Sequence, residues 1–500
     1  MNPPVFLGSA AVVIGFVLLG SLAPSAAASA FSSVQSFLLD YFGWFYILTS
    51  TGLLIFVGWL IVSRFGHIRL GGVDSKPEFS YPAWLTMLFS AGMGTGLVFW
   101  GVAEPMNHYA SPPLGEGGTP AALAEAMRIS FFHWGLHPWA IYIVFGLTLA
   151  YFHFRHELPL APRSLLFPLI GERIHGPIGH LVDIAATTGT LFGVATSLGF
   201  GAMQINAGLQ QVADVNHSAD TQVLIIAGVT FLATISVVLG LKQGIQRLSQ
   251  LNLGLAALLL AFVFIAGPTI YLLELFVRSI GEYLQHLIYS SFWIDLRRDN
   301  EWQSNWTLFY WSWWISWSPF VGVFVARISR GRTVREFAAS ILFVPTLATF
   351  AWLSVFGGAG IYFETTEGGL EGLVLEQASL ALHALLGYLP ISGVTSALAT
   401  MLIVIFFVTS SDSGSFVDDM VTSGGHPNPP RAQRVFWAVS EGAVAATLLL
   451  SGGLQALRTA SLTSGIAMAV ILLIAAWGLA RTLHIDHGRK GIPDLDDIAP

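Results

Sequence analysis

Cysteine is absent from this 500-residue chain, and charged residues make up only 10% of it. Without cysteine the chain can form no disulfide bond, no thiolate nucleophile and no cysteine-ligated zinc site. Soluble domains carry roughly 25% charged residues, so the scarcity of charge excludes that class. A net charge of −7 over this length offers no basic surface, and we predict no nucleic-acid partner.

Hydrophobic residues are abundant instead, at 54% of the sequence, and they occur in long runs. A run of about 20 apolar residues crosses the roughly 30 Å hydrocarbon core of a bilayer. Such runs begin near positions 5, 42, 85, 131, 184, 223, 251, 306, 341, 394, 435 and 466. We therefore predict an all-α integral membrane protein with about 12 transmembrane helices. The first run lacks the positive segment that opens a signal peptide, and we interpret it as a retained helix.

The basic residues indicate the orientation of these spans. Of the 22 Lys and Arg residues, 17 follow even-numbered spans and 5 follow odd-numbered ones. By the positive-inside rule this distribution places both termini in the cytoplasm. Between spans seven and eight, residues 272–293 form an apolar segment with charged residues at helical spacing. That pattern predicts an amphipathic helix on the membrane surface or against a partner subunit.

Aromatic residues crowd span eight, where positions 306–324 hold five of the chain's 16 Trp residues and four Phe or Tyr residues. An interfacial belt needs fewer rings, and ring faces bind quaternary ammonium groups, which have no N–H to donate. Pro319 and Gly322 also predict weakened backbone hydrogen bonding in the middle of this helix. We interpret the segment as part of a binding site; the alternative is ordinary aromatic packing.

Span four repeats the aromatic pattern in the sequence HWGLHPWAIY at 133–142. On one helix Trp134 and Tyr142 would lie only about 80° apart, and Trp139 could converge on the same side. Pro138 would leave one backbone carbonyl without its helical partner. Together with span eight, this segment predicts an aromatic cage built from two distant parts of the chain.

Span three contains glycine at every second position of its middle, Gly92, Gly94 and Gly96, followed by Gly101. Each glycine costs a helix about 1 kcal/mol, so we predict a break in this span. An unwound segment exposes carbonyl groups for cations and N–H groups for a carboxylate, as in the broken helices of secondary transporters. The alternative is close helix packing through small residues. We assign Glu104, before Pro105, a structural role.

Span ten ends in FFVTSSDSGSF at 406–416, which places several hydroxyl groups and the Asp412 carboxylate at or near membrane depth. Hydroxyl, carbonyl and carboxylate oxygens are suitable ligands for a small alkali cation, and an acid inside a membrane span indicates function by default. The alternative is a capped helix end at the cytoplasmic surface.

Four segments of the sequence resemble those of a known family. GMGTGLVFWGVAEP, HWGLHPWAIY, FYWSWWISWSPFVGVFVARISRGRTVREF and FFVTSSDSGS resemble, in order, the betaine/choline/carnitine transporter family. The resemblance implies an inverted-repeat (5+5) transporter fold with two extra N-terminal helices, a homotrimer and a bacterial inner membrane. The implied units are two N-terminal helices at 1–80, a first repeat at 81–275, an amphipathic helix and linker at 276–303, a second repeat at 304–482 and a short cytoplasmic tail at 483–500.

The resemblance also implies a substrate site. The family's aromatic box falls on Trp134, Trp139, Tyr142 and Trp314, and positions lining the site or its exit fall on Trp313, Trp317 and Phe309. The glycine segment, Gly92, Gly94 and Gly96, resembles that of carriers for zwitterionic betaines. Choline carriers of the family tend to have an acidic residue where Gly96 stands.

Two sodium sites are implied in the same way. The first falls on backbone carbonyls of Ser90, Met93 and Phe406 and on the hydroxyl groups of Thr409 and Ser410. The second falls on Thr190 and the ring of Phe320, but its other hydroxyl position is occupied here by Val194. Sodium-independent exchangers of the family replace sodium ligands with Met or Arg side chains, and Thr409 and Ser410 argue against that type.

The predicted function is sodium-coupled import of glycine betaine by alternating access, with sodium co-transported and no organic cofactor. Alternatives are a carrier for choline, carnitine, dimethylsulfoniopropionate or ectoine, or a sodium-independent exchanger. A membrane enzyme is a different class, but the chain has no HExxH motif and no recognisable Ser, His and Asp triad. An osmosensor without transport is disfavoured because the family associates osmotic regulation with long charged termini, which are short here.

Overall fold

The computed structural model describes residues 1–72, 74–92, 94–239, 242–296, 301–426 and 429–487, with the backbone alone at 89–92, 237–239 and 242–246. Within these ranges the chain is helical and contains no β-strand. Its α-helices are α1 (Pro3–Leu22), α2 (Pro24–Val62), α3 (Tyr81–Gly92), α4 (Thr95–Ala110), α5 (Pro120–Trp134), α6 (Leu136–His156), α7 (Phe167–Ile170), α8 (Pro177–Ala213), α9 (Ala219–Leu239), α10 (Lys242–Ala266), α11 (Thr269–Phe292), α12 (Phe309–Ile328), α13 (Val334–Thr366), α14 (Glu371–Glu376), α15 (Ala381–Gly387), α16 (Ser392–Thr422) and α17 (Arg431–His487).

Nine helical segments of the described chain are long and apolar enough to cross a membrane. One of them, Pro120–His156, joins α5 and α6, and another is the whole of α17. Each predicted span begins inside a helical segment of the structure. The all-α membrane fold is therefore confirmed, while the count of 12 spans, the inverted repeat and the unit boundaries remain predictions.

The glycine-rich middle of span three is broken, as predicted. α3 ends at Gly92 and α4 begins at Thr95. Gly94, immediately before α4, has extended backbone angles. Met93, one of the residues predicted for sodium binding, lies outside the described residues, as do 297–300 of the predicted linker and 488–500 of the predicted tail.

Span four is also broken, which corrects the expectation of one continuous helix. α5 ends at Trp134 and α6 begins at Leu136, with Gly135 between them at φ −91° and ψ −128°. A Cβ atom at Gly135 would lie 2.5 Å from the carbonyl oxygen of Phe131, so the joint requires glycine. Pro138 falls in the first turn of α6, where its missing N–H leaves no helical hydrogen bond unmade.

Span eight is more regular than predicted, since α12 runs without interruption through Pro319 and Gly322. The carbonyl of Ile315, which Pro319 cannot reach with an N–H group, accepts a hydrogen bond of 2.7 Å from Ser318 Oγ. At Gly322 a Cβ atom would lie 2.4 Å from Cδ1 of Phe145 on α6, so this glycine permits close helix packing. The backbone hydrogen bond to Ile315 is therefore lost, as predicted, but a side-chain hydrogen bond takes its place and the helix continues. The irregular turn lies earlier, as a π-helical segment at Ser304–Leu308.

The remaining features of the fold are a bend in α17 and the packing of α11. α17 contains both of the last two predicted spans and bends between them at Gly452 and Gly453, where Gly453 has φ 54°. α11 is the predicted amphipathic helix, and it packs against α5 and α13. Its buried face includes Leu272 and Tyr283, while apolar residues such as Val277 and Ile288 remain exposed on the other side.

Candidate functional site

Aromatic side chains from both sides of the Gly135 break meet α12 in the core of the protein. The ring centroid of Trp314 lies 4.8 Å from that of Trp134 and 6.5 Å from that of Tyr142, in both cases edge to face. Trp139 reaches the group through Tyr142, at 5.6 Å. All four rings are buried. Two distant segments therefore supply one group of ring faces.

The other three predicted rings extend this group along α12. Trp313 stacks on Trp314 with centroids 4.6 Å apart, and Phe309 stacks on Trp313 at 5.4 Å. Trp317 lies 6.3 Å from Tyr142 on the neighbouring helix. We call the resulting assembly the ring cluster, and its members are Trp134, Trp139, Tyr142, Phe309, Trp313, Trp314 and Trp317. The structure brings all seven together, and their role in substrate binding remains a prediction.

The break in span three lies directly against the ring cluster. A Cβ atom at Gly96 would lie 2.5 Å from Cη2 of Trp313 and 3.5 Å from Cη2 of Trp134. At Gly94 it would lie 3.5 Å from Cη2 of Trp317 and 3.7 Å from the hydroxyl oxygen of Ser410. The backbone around the break, which begins where α3 ends at Gly92, is thus placed between indole rings and a hydroxyl group. Such a position suits a ligand with a cationic and an anionic end.

The residues predicted for the first sodium site are described in part. Thr409 on α16 is buried, and its hydroxyl group donates to the carbonyl oxygens of Ile405 (2.9 Å) and Phe406 (3.1 Å). Ser410, the next residue, is the one that lies beside Gly94. Of Ser90 the structure describes only the backbone, in the last turn of α3. The Ser410 hydroxyl group, in the middle of α16, therefore lies beside the helix break of span three.

The residues predicted for the second sodium site are buried on two packed helices. Thr190 and Val194 lie one turn apart on α8, and Phe320 lies on α12 at 5.3 Å from Trp317. The two helices touch closely here, because a Cβ atom at Gly193 would lie 3.2 Å from Cδ1 of Trp317. Val194 brings methyl groups to the position where the family resemblance expects a hydroxyl group.

Glu104 on α4 is hydrogen-bonded to Trp134 of the ring cluster. The sequence predicted a structural role for Glu104 but did not predict its partners. Its carboxylate is fully buried and accepts hydrogen bonds from Trp134 Nε1 (2.6 Å) and from the Tyr310 hydroxyl group. It also bonds His133 Nδ1 at 2.6 Å and His108 Nε2 at 3.3 Å. Its signals in the sequence are an acid inside an apolar span and His108 four residues later on the same helix, because the other partners come from α5 and α12.

The hydrogen bonds of the ring cluster leave a distinct set of groups unpaired. Trp134 and Trp314 use their N–H groups on Glu104 and on the carbonyl oxygen of His133 (3.0 Å), and Trp314 is also stacked on Trp313. The hydroxyl group of Tyr142 and Nε1 of Trp317 have no hydrogen-bond partner in the described part of the chain. Buried polar groups are nearly always paired, so these two donors are available to an acceptor on a ligand.

Arg458 on α17 is a second feature that the sequence did not predict. Its guanidinium group lies over the rings of Trp100 (5.1 Å), Trp306 (5.1 Å) and Phe309 (5.3 Å). Since Phe309 belongs to the ring cluster, this arginine occupies the ring faces at one end of it. The cluster therefore already contains one cation–π contact made by the protein itself.

Comparison with known proteins identifies the family. The chain matches the family described as "BCCT, betaine/carnitine/choline family transporter" over residues 4–488. The chain belongs to the BCCT family. Members are secondary transporters rather than enzymes, so the predicted family is confirmed and the membrane-enzyme alternative is excluded.

Several BCCT relatives carry names that specify a substrate. A glycine betaine transporter of Acinetobacter baylyi is 45% identical over 97% of this chain and 74% of its own length. The glycine betaine transporter OpuD of Bacillus subtilis is 43% identical over 95% and 93% of the two chains. The osmo-independent choline transporter BetT1 of Acinetobacter baylyi is 40% identical over 97% and 93%.

Proposed function

We propose that this BCCT transporter imports glycine betaine together with sodium, by alternating access across a bacterial inner membrane. The observation that carries the proposal is the meeting of the ring cluster with the helix break at Gly94 and Gly96. A trimethylammonium group offers no N–H donor and is bound by ring faces. A carboxylate on the same molecule needs donors, which the broken backbone, Tyr142 and Trp317 can provide.

The free energy of substrate binding and the free energy that drives substrate accumulation come from different interactions. Each desolvated cation–π contact contributes about 1–2 kcal/mol, so several rings supply enough for recognition. A zwitterion moves no net charge across the membrane, and accumulating it a thousandfold costs about 4 kcal/mol. One co-transported cation contributes about 2.3 kcal/mol per 100 mV in addition to its own concentration gradient. The hydroxyl group of Ser410 beside the break, and that of Thr409 next to it on α16, support sodium as that cation.

Uptake of labelled glycine betaine into proteoliposomes tests the proposal. Replacing external sodium by potassium at constant membrane potential should abolish accumulation. Accumulation that survives the replacement would contradict sodium coupling and favour exchange. Unlabelled choline, carnitine, dimethylsulfoniopropionate and ectoine should compete less well than betaine, and stronger competition by any of them would contradict the substrate assignment.

Choline is the second candidate, because a relative at 40% identity is named as a choline transporter. Choline carries no carboxylate, so it would leave the donors of Tyr142 and Trp317 unpaired. It would also lack a nearby counter-charge, since the carboxylate of Glu104 is engaged by Trp134 and Tyr310. These contacts favour the zwitterion.

We also expect a homotrimer, as the family resemblance implies. The exposed apolar residues of α11, among them Val277, Leu284 and Ile288, offer a surface for a partner subunit. Native mass spectrometry in detergent tests this expectation, and a monomer under conditions that retain betaine binding would contradict it.

A further inference from the structure

Buried carboxyl groups lie near the C-terminal end of α16, outside the ring cluster. Asp418 on α16 and Glu441 on α17 are both 0% exposed. Glu441 Oε2 accepts a hydrogen bond of 2.9 Å from Ser411 Oγ, but Glu441 Oε1 and both oxygens of Asp418 have no partner within the described ranges. An ionised carboxylate buried in this way lacks the donors or counter-charge that would stabilise it.

The charged groups around Glu441 do not supply that counter-charge. Two carboxyl groups of α16, those of Asp412 and Asp418, are close enough to interact electrostatically with Glu441, and both are acids. The guanidinium group of Arg434 hydrogen-bonds Asp419 at 3.0 Å, and the amino terminus also acts on Asp419. α8 contributes Val194, and α9 contributes Thr230, which lies against Gly442; neither titrates. Glu441 therefore lies among acids, and the cations of this region interact with Asp419 and, in the case of Arg434, also with Asp412.

Glu441 lies near the position of the expected second sodium site. A Cβ atom at Gly414 would lie 2.8 Å from Glu441 Oε1 and 2.9 Å from Cγ2 of Val194. The unpaired carboxyl oxygen thus lies beside the residue that replaces a hydroxyl ligand at the expected second sodium site. Glu441 of α17 and Val194 of α8 therefore both border the same point beside Gly414 of α16.

The arrangement suits a proton better than a metal ion. An alkali or alkaline-earth ion needs several oxygen ligands that converge on one point. Among the described residues no group of three acidic or histidine side chains converges around Glu441, and the side-chain atoms that lie with Glu441 Oε1 around a Cβ placed at Gly414 are methyl groups of Val194, which cannot bind a cation. The carboxyl groups around Glu441 do not converge in this way, whereas a proton needs a single oxygen.

We infer that Glu441 binds a proton that is co-transported with the substrate, in place of a second sodium ion. The inference rests on the proposed sodium-coupled import. In the outward-facing state the Glu441 carboxylate takes one proton from outside and becomes a neutral carboxyl group. In the inward-facing state it releases that proton to the cytoplasm. Each cycle then moves one substrate molecule, one sodium ion and one proton.

Steady-state accumulation in proteoliposomes tests the inference. With sodium constant and the membrane potential clamped, one coupled proton raises the betaine accumulation ratio tenfold for each pH unit by which the outside is more acidic. We expect this dependence in the unaltered protein and its loss in Glu441→Gln, which keeps the shape of a protonated carboxyl group. Glu172→Gln is the matched control, because the Glu172 side chain is 84% exposed. Equal dependence on the pH gradient in Glu441→Gln and the unaltered protein, or none in either, would overturn the inference.

Two further measurements keep the result interpretable. The apparent sodium affinity should be unchanged in Glu441→Gln, and a several-fold loss would make Glu441 a sodium ligand and overturn the proton assignment. A pH-sensitive dye inside the vesicles should report proton entry when betaine is added to the unaltered protein; no entry would overturn the inference even if Glu441→Gln fails to fold. Betaine uptake that ignores sodium would instead contradict the proposed function, whatever Glu441 does.

Discussion

The indole N–H of Trp134 donates a 2.6 Å hydrogen bond to the buried carboxylate of Glu104. The ring of Trp134 also contacts the ring of Trp314, with the two centroids 4.8 Å apart. Glu104 therefore fixes the orientation of a ring at the edge of the cluster, and the Tyr310 hydroxyl group bound to the same oxygen ties that orientation to α12. Hydrogen bonds to a buried charged group are among the stronger ones, at about 1.5–3 kcal/mol each.

Glu104→Gln should therefore loosen the ring cluster without removing any ring. A glutamine amide has one acceptor oxygen and a donor NH2 group, so at least one of the donors around it would lose its partner. We expect the apparent affinity for betaine to fall about tenfold, which corresponds to 1.4 kcal/mol, with little change in apparent sodium affinity. The concentration dependence of uptake on each solute measures both.

Glu282→Gln on the surface-exposed part of α11 is a control for the same chemical change, since the Glu282 side chain is about a third exposed. It should leave both affinities as they are. An unchanged betaine affinity in Glu104→Gln would show that the carboxylate does not position Trp134.

Trp314→Leu should abolish high-affinity betaine binding in a protein that still folds. Leucine fills part of the volume but offers no ring face to a trimethylammonium group, so at least one cation–π contact of about 1–2 kcal/mol is lost. Isothermal titration calorimetry on the purified protein measures the affinity. The control is Trp477→Leu, because Trp477 is 47% exposed on α17. Undiminished affinity in Trp314→Leu would count against the ring cluster as the substrate site.

Local patterns in the sequence predicted the rings and the glycine break, and tertiary contacts decided the rest. The spacing of Trp residues within span eight and of glycine within span three is visible along one helix. His108 is the one partner of Glu104 at helical spacing. The others come from positions 133, 134 and 310, and those of Arg458 come from 100, 306 and 309, so periodicity could not predict them. Where α12 continues through Pro319, the Ile315 carbonyl accepts a side-chain hydrogen bond from Ser318, which no propensity scale contains.

Gly96→Ala should impair transport through contact with Trp313. The added methyl group would lie 2.5 Å from Cη2 of that ring, which is too close unless the ring moves. Overpacking of this kind costs about 1–3 kcal/mol, and a displaced Trp313 would disturb the ring stacked on it, Trp314. We expect the KM for betaine to rise about tenfold or more.

Gly228→Ala on α9 is the matched control for this substitution, since nothing lies within 4 Å of the atom it adds. It should transport normally, because alanine also favours a helix over glycine. Normal KM in Gly96→Ala would mean that Trp313 can move away without effect, and would remove it from the substrate site.

Val194→Thr should restore a second sodium site. Threonine is close to valine in shape, so it introduces the hydroxyl group that the family resemblance expects, one turn from Thr190 on α8. A buried hydroxyl group without a partner costs about 1–3 kcal/mol, and here a sodium ion or the unpaired Glu441 Oε1 nearby can meet it. If a sodium ion does so, the Hill coefficient for sodium in betaine uptake should rise from about one toward about two, since it is bounded by the number of sites.

Val212→Thr, near the exposed end of the same helix, is the control and should leave the coefficient unchanged. A coefficient that stays near one in Val194→Thr would mean that the missing hydroxyl group is not what limits sodium binding, and that the carboxyl group of Glu441 has changed this site in a way a single hydroxyl group cannot reverse.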